Sequence, residues 1–391
     1  MPKIIQGVTN VFSVMLIKEQ VEYVAAHGFN IKVVCNNAEN KKYEGISIVH
    51  IPFEREISPY KDVVSLFKLY RYLKSEQPDI INFGTPKAGL IGMIAGYLAG
   101  VNQRVYIVRG LRLETAIGLK RSLLMRLEKV ACTLSTHVLV ISDSLEETLV
   151  SQGIVNPKKV VRIGKGSSNG IDLKKFDPTQ LDLAKRLDLC MELDIKEEDI
   201  VIGYVGRMTR DKGINELIKA FNRLAQTHRD VKLLLVGDYE NADPIDEVHV
   251  ETIRNHARII HCPYTTEPEY YYSLMDIFAF PTHREGFGNV SIEAQAMGVP
   301  VVTFNVTGAK DTVLDGQTGL IAHSIDEFGL FNSIDRLIKH PLLRMRMATT
   351  ARSFVVDHFD RKTMQEALVD FYRMLKEEGK DDGQVAQNLG A

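Results

Sequence analysis

Cysteine is scarce in this chain and never clustered. Cys35, Cys132, Cys190 and Cys262 stand singly among 391 residues, with no Cys-x-x-Cys and no histidine at ligand spacing. That spacing argues against a structural zinc and for the reduced thiols of a cytosolic protein. Long hydrophobic runs are missing as well. The longest, residues 88–101, has 14 residues including four glycines, too short to span a bilayer. The opening residues, MPKIIQGVTNVF, lack the apolar core and small-residue cleavage site of a signal peptide, so a cytoplasmic location is expected. No Asp-x-Asp occurs, which removes a familiar carboxylate signature for a divalent cation. No strand-like run leads into Gly-x-Gly-x-x-Gly, because Gly164-x-Gly166 has no third glycine; this weighs against a NAD-dependent oxidoreductase. Aromatics are not interleaved with cations, which leaves nucleic-acid binding with little support.

What is present is enough apolar residue, 45% of the chain, for two domains with separate cores. Short β-branched runs alternate with amphipathic helical patterns, the signature of βαβ units and parallel sheets. Strands are predicted at 3–6, 31–35, 46–50, 80–83, 104–108, 138–141 and 160–163, then at 201–205, 232–236, 257–261, 277–280 and 301–304. Helices are predicted over 14–26, 63–75, 121–135 and 214–226, the last with Ile214, Leu217, Ile218, Phe221 and Leu224 on one stripe. The stretch 165–198, opening with Gly166-Ser167-Ser168-Asn169-Gly170, is the predicted boundary. Only the last dozen residues have a disordered composition. The net charge of −2 hides an asymmetry: residues 1–175 hold 24 Lys+Arg against 15 Asp+Glu, whereas residues 176–391 hold 24 against 35. A basic first half suggests an anionic partner for it.

The most informative stretch is PTHREGFGNVSIEAQAMGVPVV, residues 281–302. A strand ends at Pro281, and Glu285 opens the turn Gly286-Phe287-Gly288. Asn289 is placed to cap a helix over 290–297, and Glu293 follows eight positions after the first acid. A glycine loop at a helix N-terminus can present backbone N–H groups to an anion. Acids beside a phosphate cradle make sense if they accept hydrogen bonds from hydroxyls of the same molecule, and a nucleotide-sugar has both groups. Upstream, the strand 201–205 runs into Gly206-Arg207-Met208-Thr209-Arg210-Asp211-Lys212-Gly213. Two cations fixed on that loop can neutralise a diphosphate, including the charge that grows on it as a leaving group.

Gly206-Arg207 with Lys212-Gly213, followed by Glu285-x7-Glu293, resembles the retaining nucleotide-sugar glycosyltransferases of family 4. The similarity continues through Gly308-Ala309-Lys310-Asp311-Thr312-Val313, Asp315-Gly316-x-Thr318-Gly319 and Asn169-Gly170-Ile171-Asp172 with Phe176. Thr85-Pro86-Lys87-Ala88-Gly89-Leu90 and Arg109-Gly110-Leu111-Arg112-x-Glu114-Thr115 are similar to its capsule and lipid-carrier members. The resemblance implies the α/β GT-B fold, two Rossmann-like doubly wound domains facing across a cleft. It places an acceptor domain at 1–172, joined by a terminal helix near 360–378, and a donor domain at 190–357. It implies a retaining, metal-independent transfer from a UDP-sugar, with no cofactor. Arg207 and Lys212 would hold the donor diphosphate and Glu285 the sugar hydroxyls. The amides of Phe287 and Gly288, beside Gly206, Gly286 and Asn289, would fix sugar and phosphate, and Glu293 would take the ribose hydroxyls.

On the acceptor side the candidates are Thr9, Lys87 and Arg112. The opening loop Gly7-Val8-Thr9-Asn10 lacks the Gly-Gly pair usual in the family, and Arg109 stands where many members have a catalytic-site histidine. Arg109 is then open to three roles: steadying the leaving phosphate, contacting the acceptor, or pairing with Glu114. The capsule-like resemblance implies a polyprenyl-diphosphate-linked saccharide as acceptor, at the inner face of the cell membrane. Residues 60–74 set Val63, Val64, Leu66, Phe67, Tyr70 and Leu73 beside Lys61, Lys68, Arg71 and Lys74, and Lys120, Arg121, Arg126 and Lys129 extend the basic character. Such a helix either packs with a solvated side or lies on an anionic membrane. The alternatives to a transferase are a non-catalytic nucleotide-sugar-binding protein and a GT-B-fold nucleotide-sugar epimerase.

Overall fold

A computed structural model describes residues 1–54, 58–167 and 169–388, the side chains of 379–388 excepted. Ser168 of the predicted boundary, and the side chains of the last dozen residues, lie outside the described residues. The chain divides into two compact units, Met1–Asn169 with Lys362–Ala391, and Gly170–Arg361.

The first unit contains β1 (Lys3–Asn10), β2 (Asn30–Asn36), β3 (Ile48–His50), β4 (Ile80–Gly84), β5 (Gln103–Val108), β6 (His137–Val140) and β7 (Val160–Arg162). All pair in parallel, in the order β3-β2-β1-β4-β5-β6-β7. Helices on both faces leave central strands with no polar side, and every residue of β4 is buried. The expected single helix over 14–26 is instead two, Phe12–Met15 and Lys18–Ala26. Val11, Val14 and Ile17 are all buried. They recur every third residue, linked by i→i+3 bonds of 3.1 and 3.0 Å, a period that suits tight turns rather than a 3.6-residue helix. The helix Pro59–Glu76 buries Ser65, Leu69 and Leu73, while Tyr60, Val63 and Phe67 face solvent. The last helix, Arg361–Asn388, packs Leu368, Tyr372 and Leu375 into this unit, the Tyr372 ring lying 5.9 Å from Phe29.

The second unit contains β8 (Ile200–Val205), β9 (Val231–Val236), β10 (Ile259–Cys262), β11 (Ile277–Phe280), β12 (Val301–Phe304) and β13 (Gly319–Ala322). They are again all parallel, in the order β10-β9-β8-β11-β12-β13. β13 has no counterpart among the expected strands. It starts on Gly319 and is four residues long, too short for a periodic signal. The helix Ile214–Thr227 buries Ile214, Leu217, Ile218, Phe221 and Leu224 completely against this sheet. Burying one such side chain is worth about 1.5–3 kcal/mol, so this stripe anchors the loop just before it.

In each sheet the strand order reverses between the first and fourth strands of the series, β1/β4 and β8/β11. The crevice at the carboxyl ends of those two strands is where open α/β sheets take ligands.

Candidate functional site

At the β8/β11 switch point the loops after these strands are packed backbone to backbone. Gly213 has φ +71°, and a Cβ there would lie 1.9 Å from the Pro281 carbonyl oxygen, so a side chain would force the loops apart. Across this contact His283 N–H and the Thr282 hydroxyl donate to the Asp211 carbonyl at 2.8 and 3.2 Å. Arg284 donates to the Asp211 carboxylate at 3.2 Å, and the Thr209 hydroxyl donates to it at 2.6 Å. Although burial raises the Asp211 carboxyl, these donors and the neighbouring Lys212 hold it below its usual range. His283 Nε2 lies 3.3 Å from Glu216, whose hydrogen bond raises the imidazole pKa against the effect of burial.

On this frame Lys212 Nζ meets Glu285 Oε2 at 2.5 Å, both largely covered. Arg207 turns to Glu240, in the loop after β9. Tyr204, at the end of β8, ties the group together. Its hydroxyl donates to the Arg207 carbonyl at 2.8 Å, and burial raises its pKa, with Glu285, Arg207 and Asp211 as the charges it feels. Tyr272 carries the chain of contacts onward: its hydroxyl donates to Glu293 Oε2 at 3.0 Å, and it senses Tyr204 electrostatically. Burial raises the Glu293 carboxyl above its usual value, while Tyr272 and the cations Lys175 and Arg361 hold it down.

The turn after Glu285 differs in detail from expectation. The helix runs Asn289–Ala296, so Asn289 is its first residue and Gly288 is the cap. Gly288 has φ +85°, a left-handed conformation costly for asparagine or any other side chain, and a Cβ there would meet the Phe280 ring at 2.5 Å. Phe287 is buried with its ring 5.2 Å from Phe359, which leaves its amide as the group to offer a ligand. Gly286 N–H reaches Glu285 Oε1 at 3.1 Å, and Gly206 N–H is already bonded to the Val236 carbonyl at 2.9 Å. Lys212 thus pairs with Glu285, Glu293 with Tyr272, and Arg207 with Glu240, on segments that follow strands of one sheet. Glu240, Tyr272 and the Asp211–Arg284 pair were given no role from sequence. Asp211 and Arg284 are the immediate neighbours of Lys212 and Glu285, a signal that was available; Glu240 and Tyr272 arrive from distant loops and carry none.

The first unit's switch point holds a different set. The Thr9 and Thr85 hydroxyls meet at 2.7 Å, and Thr85 has φ +78°, a strained setting for a β-branched residue. Arg109 follows β5, half-buried beneath Gly84, and burial lowers its guanidinium to about 10, which leaves it a cation at neutral pH. Tyr372 lies close enough to be felt by Arg109, and its hydroxyl accepts from Asn82 Nδ2 at 2.5 Å. Lys87 is engaged by Asp62 at 2.5 Å, and Arg112 is exposed. These residues do not form one cluster: Thr9, Thr85 and Arg109 border β1, β4 and β5, whereas Lys87 is turned to the helix Pro59–Glu76. Among the described residues no group of three His, Cys, Asp or Glu side chains is arranged to hold a metal, and no helix is long and apolar enough to cross a membrane.

Two parallel doubly wound units are the GT-B architecture, and the comparisons show the family. Residues 190–354 match the family described as Glycosyl transferases group 1, and residues 16–166 match the Glycosyl transferase 4-like domain. The chain is 39% identical over 381 residues to the capsular polysaccharide biosynthesis glycosyltransferase CapM of Staphylococcus aureus, covering 97% of this chain and 99% of that protein. It is 24% identical to the Escherichia coli UDP-Gal:alpha-D-GlcNAc-diphosphoundecaprenol alpha-1,3-galactosyltransferase, covering 90% of this chain and 91% of that protein. Among solved structures, sucrose-phosphate synthase from Thermosynechococcus elongatus matches with a TM-score of 0.78 at 20% identity, over 96% of this chain and 99% of that one. HepE of Anabaena, in complex with UDP, matches with 0.77 at 20% identity, over 96% and 100%. The chain belongs to the family 4 glycosyltransferases, with the capsular type among its relatives.

Proposed function

We propose that this glycosyltransferase moves a sugar from a UDP-sugar, with retention at the anomeric carbon, to a saccharide carried on a polyprenyl diphosphate, in the assembly of a capsular or other surface polysaccharide. The observation that carries the donor half is the Lys212–Glu285 pair at 2.5 Å, held by the packed loops after β8 and β11, with Arg207 on the first of those loops and Glu293 on the helix that follows the second. Lys212 and Arg207 supply positive charge where a diphosphate would sit, and Glu293, oriented by Tyr272, is an acceptor for ribose hydroxyls. The UDP complex of the Anabaena neighbour supports a uridine donor, and the name of the Escherichia coli relative supports a lipid-linked acceptor.

The two cations take the electrostatic part that a divalent ion plays elsewhere, so transfer is expected to need no metal. A double displacement requires a carboxylate nucleophile behind the sugar, and no acid stands out for it. In a front-face reaction the acceptor oxygen forms the new bond to the anomeric carbon as the bond to the diphosphate oxygen breaks. The hydroxyl proton passes to that departing oxygen. Arg109, Thr9, Lys87 and Arg112 serve the acceptor. The Pro59–Glu76 helix adds a peripheral anchor to the inner membrane face. Tyr60 is 81% exposed beside exposed Lys61, Lys68, Arg71 and Lys74, and Ile117 and Leu119 are 86% and 91% exposed beside Lys120.

A thermal-shift panel of nucleotide-sugars tests the donor, since a ligand that binds the folded state stabilises it by mass action. Transfer abolished by EDTA, transfer unchanged in Glu285→Ala, or a trapped glycosyl–enzyme adduct each overturns the corresponding part. Co-sedimentation with anionic vesicles at low salt tests the anchor; protein left wholly in the supernatant removes it.

A further inference from the structure

The cation that faces a donor diphosphate is already neutralised within the protein. Arg207 Nη1 is ion-paired with Glu240 Oε2, and Lys212 Nζ with Glu285 Oε2 at 2.5 Å. Each of the two cations thus has a carboxylate partner within the protein. Glu285 has an evident second use as an acceptor for sugar hydroxyls. Glu240 has none: it comes from the loop after β9, on the opposite flank from Glu285 and Glu293.

Its placement is built rather than incidental. Beyond the last residues of β8 and β9 the two chains stay hydrogen-bonded: Met208 N–H donates to the Asp238 carbonyl at 2.9 Å and Arg210 N–H to the Asp243 carbonyl at 3.2 Å. An isolated parallel bridge joins Met208 and Tyr239, the neighbours of Arg207 and Glu240. Asp243 also accepts from Asp211 N–H at 2.8 Å. The loop that presents Glu240 is therefore held in register with the loop that presents Arg207. Arg207 is 57% exposed and its partner 27%, so the pair is open to water and to exchange. An exposed pair of this kind is weak enough for a phosphate to displace.

We propose that Glu240 is a counter-ion that parks Arg207 when the donor site is empty and reclaims it from the product diphosphate, so that it sets how tightly the nucleoside diphosphate is held and how fast it leaves. This rests on the reading of the second unit as a nucleotide-sugar site. Donor binding exchanges one anion for another on Arg207. The displaced carboxylate then stands beside the diphosphate and repels it, and after transfer the same repulsion favours release.

The test is binding of UDP, ADP, GDP and uridine to the full chain by calorimetry, comparing the wild type with Glu240→Gln, Glu240→Asp and Arg207→Ala. Glu240→Gln is expected to tighten the best-bound nucleoside diphosphate about two- to fivefold, leave uridine unchanged, and strengthen product inhibition by the same factor. Glu240→Asp, which keeps the charge on a shorter stem, is expected to fall between the two, and the gain is expected to shrink as salt is raised. An unchanged or weaker affinity in Glu240→Gln, while Arg207→Ala weakens binding, overturns the proposal alone. An equal gain for uridine overturns it too, because the effect would not lie on the phosphates. A wild-type protein that binds none of the three diphosphates removes the donor-site reading and this proposal with it.

Discussion

The two units are built on one plan and equipped differently. Each is a parallel sheet whose order reverses between its first and fourth strands, the place where open α/β sheets take ligands. The second unit fills that place with charge: Lys212 on Glu285, Arg207 on Glu240, and the Asp211–Arg284 pair beneath. The first fills the equivalent place with two hydroxyls, Thr9 and Thr85, and one half-buried arginine. On the function proposed above, the difference separates two kinds of ligand. Paired charges that rest on one another suit a ligand whose own charge never varies, such as a diphosphate. Hydroxyls and a lone cation leave room for a neutral saccharide with a charged group beyond it.

The contrast can be broken at several points. The largest expected effect is at Lys212: Lys212→Ala should lower kcat by about 10²–10³, the scale for losing one preorganised electrostatic contact in a transition state. Steady-state transfer assays check this, and a loss under threefold would place the charge elsewhere. Next comes Arg109→Lys, which keeps a cation but loses the planar fork. If Arg109 serves the first unit's ligand, transfer should fall about 30-fold with UDP affinity unchanged; a parallel fall in UDP affinity would move Arg109 to the donor. Tyr272→Phe should weaken UDP binding about tenfold through the lost hydrogen bond to a charged group, with uracil-only ligands unaffected.

The smallest effect sharpens the comparison from the side of stability. In the first unit Glu128 accepts from the Tyr106 hydroxyl at 2.6 Å, and burial pushes its carboxyl up to about 7, the Tyr106 bond pulling partly the other way. A raised carboxyl means the folded state keeps a proton that the unfolded chain has released. Stability is therefore lost as pH rises from about 4.5 to about 7, by about 1 kcal/mol once solvent access is allowed for. Glu128→Gln should flatten that slope in chemical denaturation and melt higher at pH 7.5; an unchanged slope would mean that Glu128 is ionised throughout.

How much of this could be read in the sequence depends on how far apart the partners lie. Local patterns gave the parallel α/β class, twelve of the strand positions to within a few residues, and the buried stripe from Ile214 to Leu224. They missed β13, whose four residues carry a glycine and no period, and they misplaced a helix cap because Asn289 is a common cap while Gly288 has the conformation the turn needs. The helix over 14–26 failed for a similar reason: its apolar residues also satisfy a three-residue repeat. Charged motifs marked Arg207, Lys212, Glu285 and Glu293, but not what each would rest against. Glu240 lies 33 positions from Arg207, and Asp62 lies 25 from Lys87, in separate βα units. Only the strand order brings such residues together, and nothing in a single sequence encodes that order residue by residue.

The return of the last helix has a consequence for synthesis. The second unit is one uninterrupted segment, Gly170–Arg361, whereas the first needs Leu368, Tyr372 and Leu375 to close its core. On the ribosome the earlier-made half must therefore wait, its core incomplete, until residues 362–375 have emerged. The later-made half can finish folding before it, reversing the usual N-to-C order.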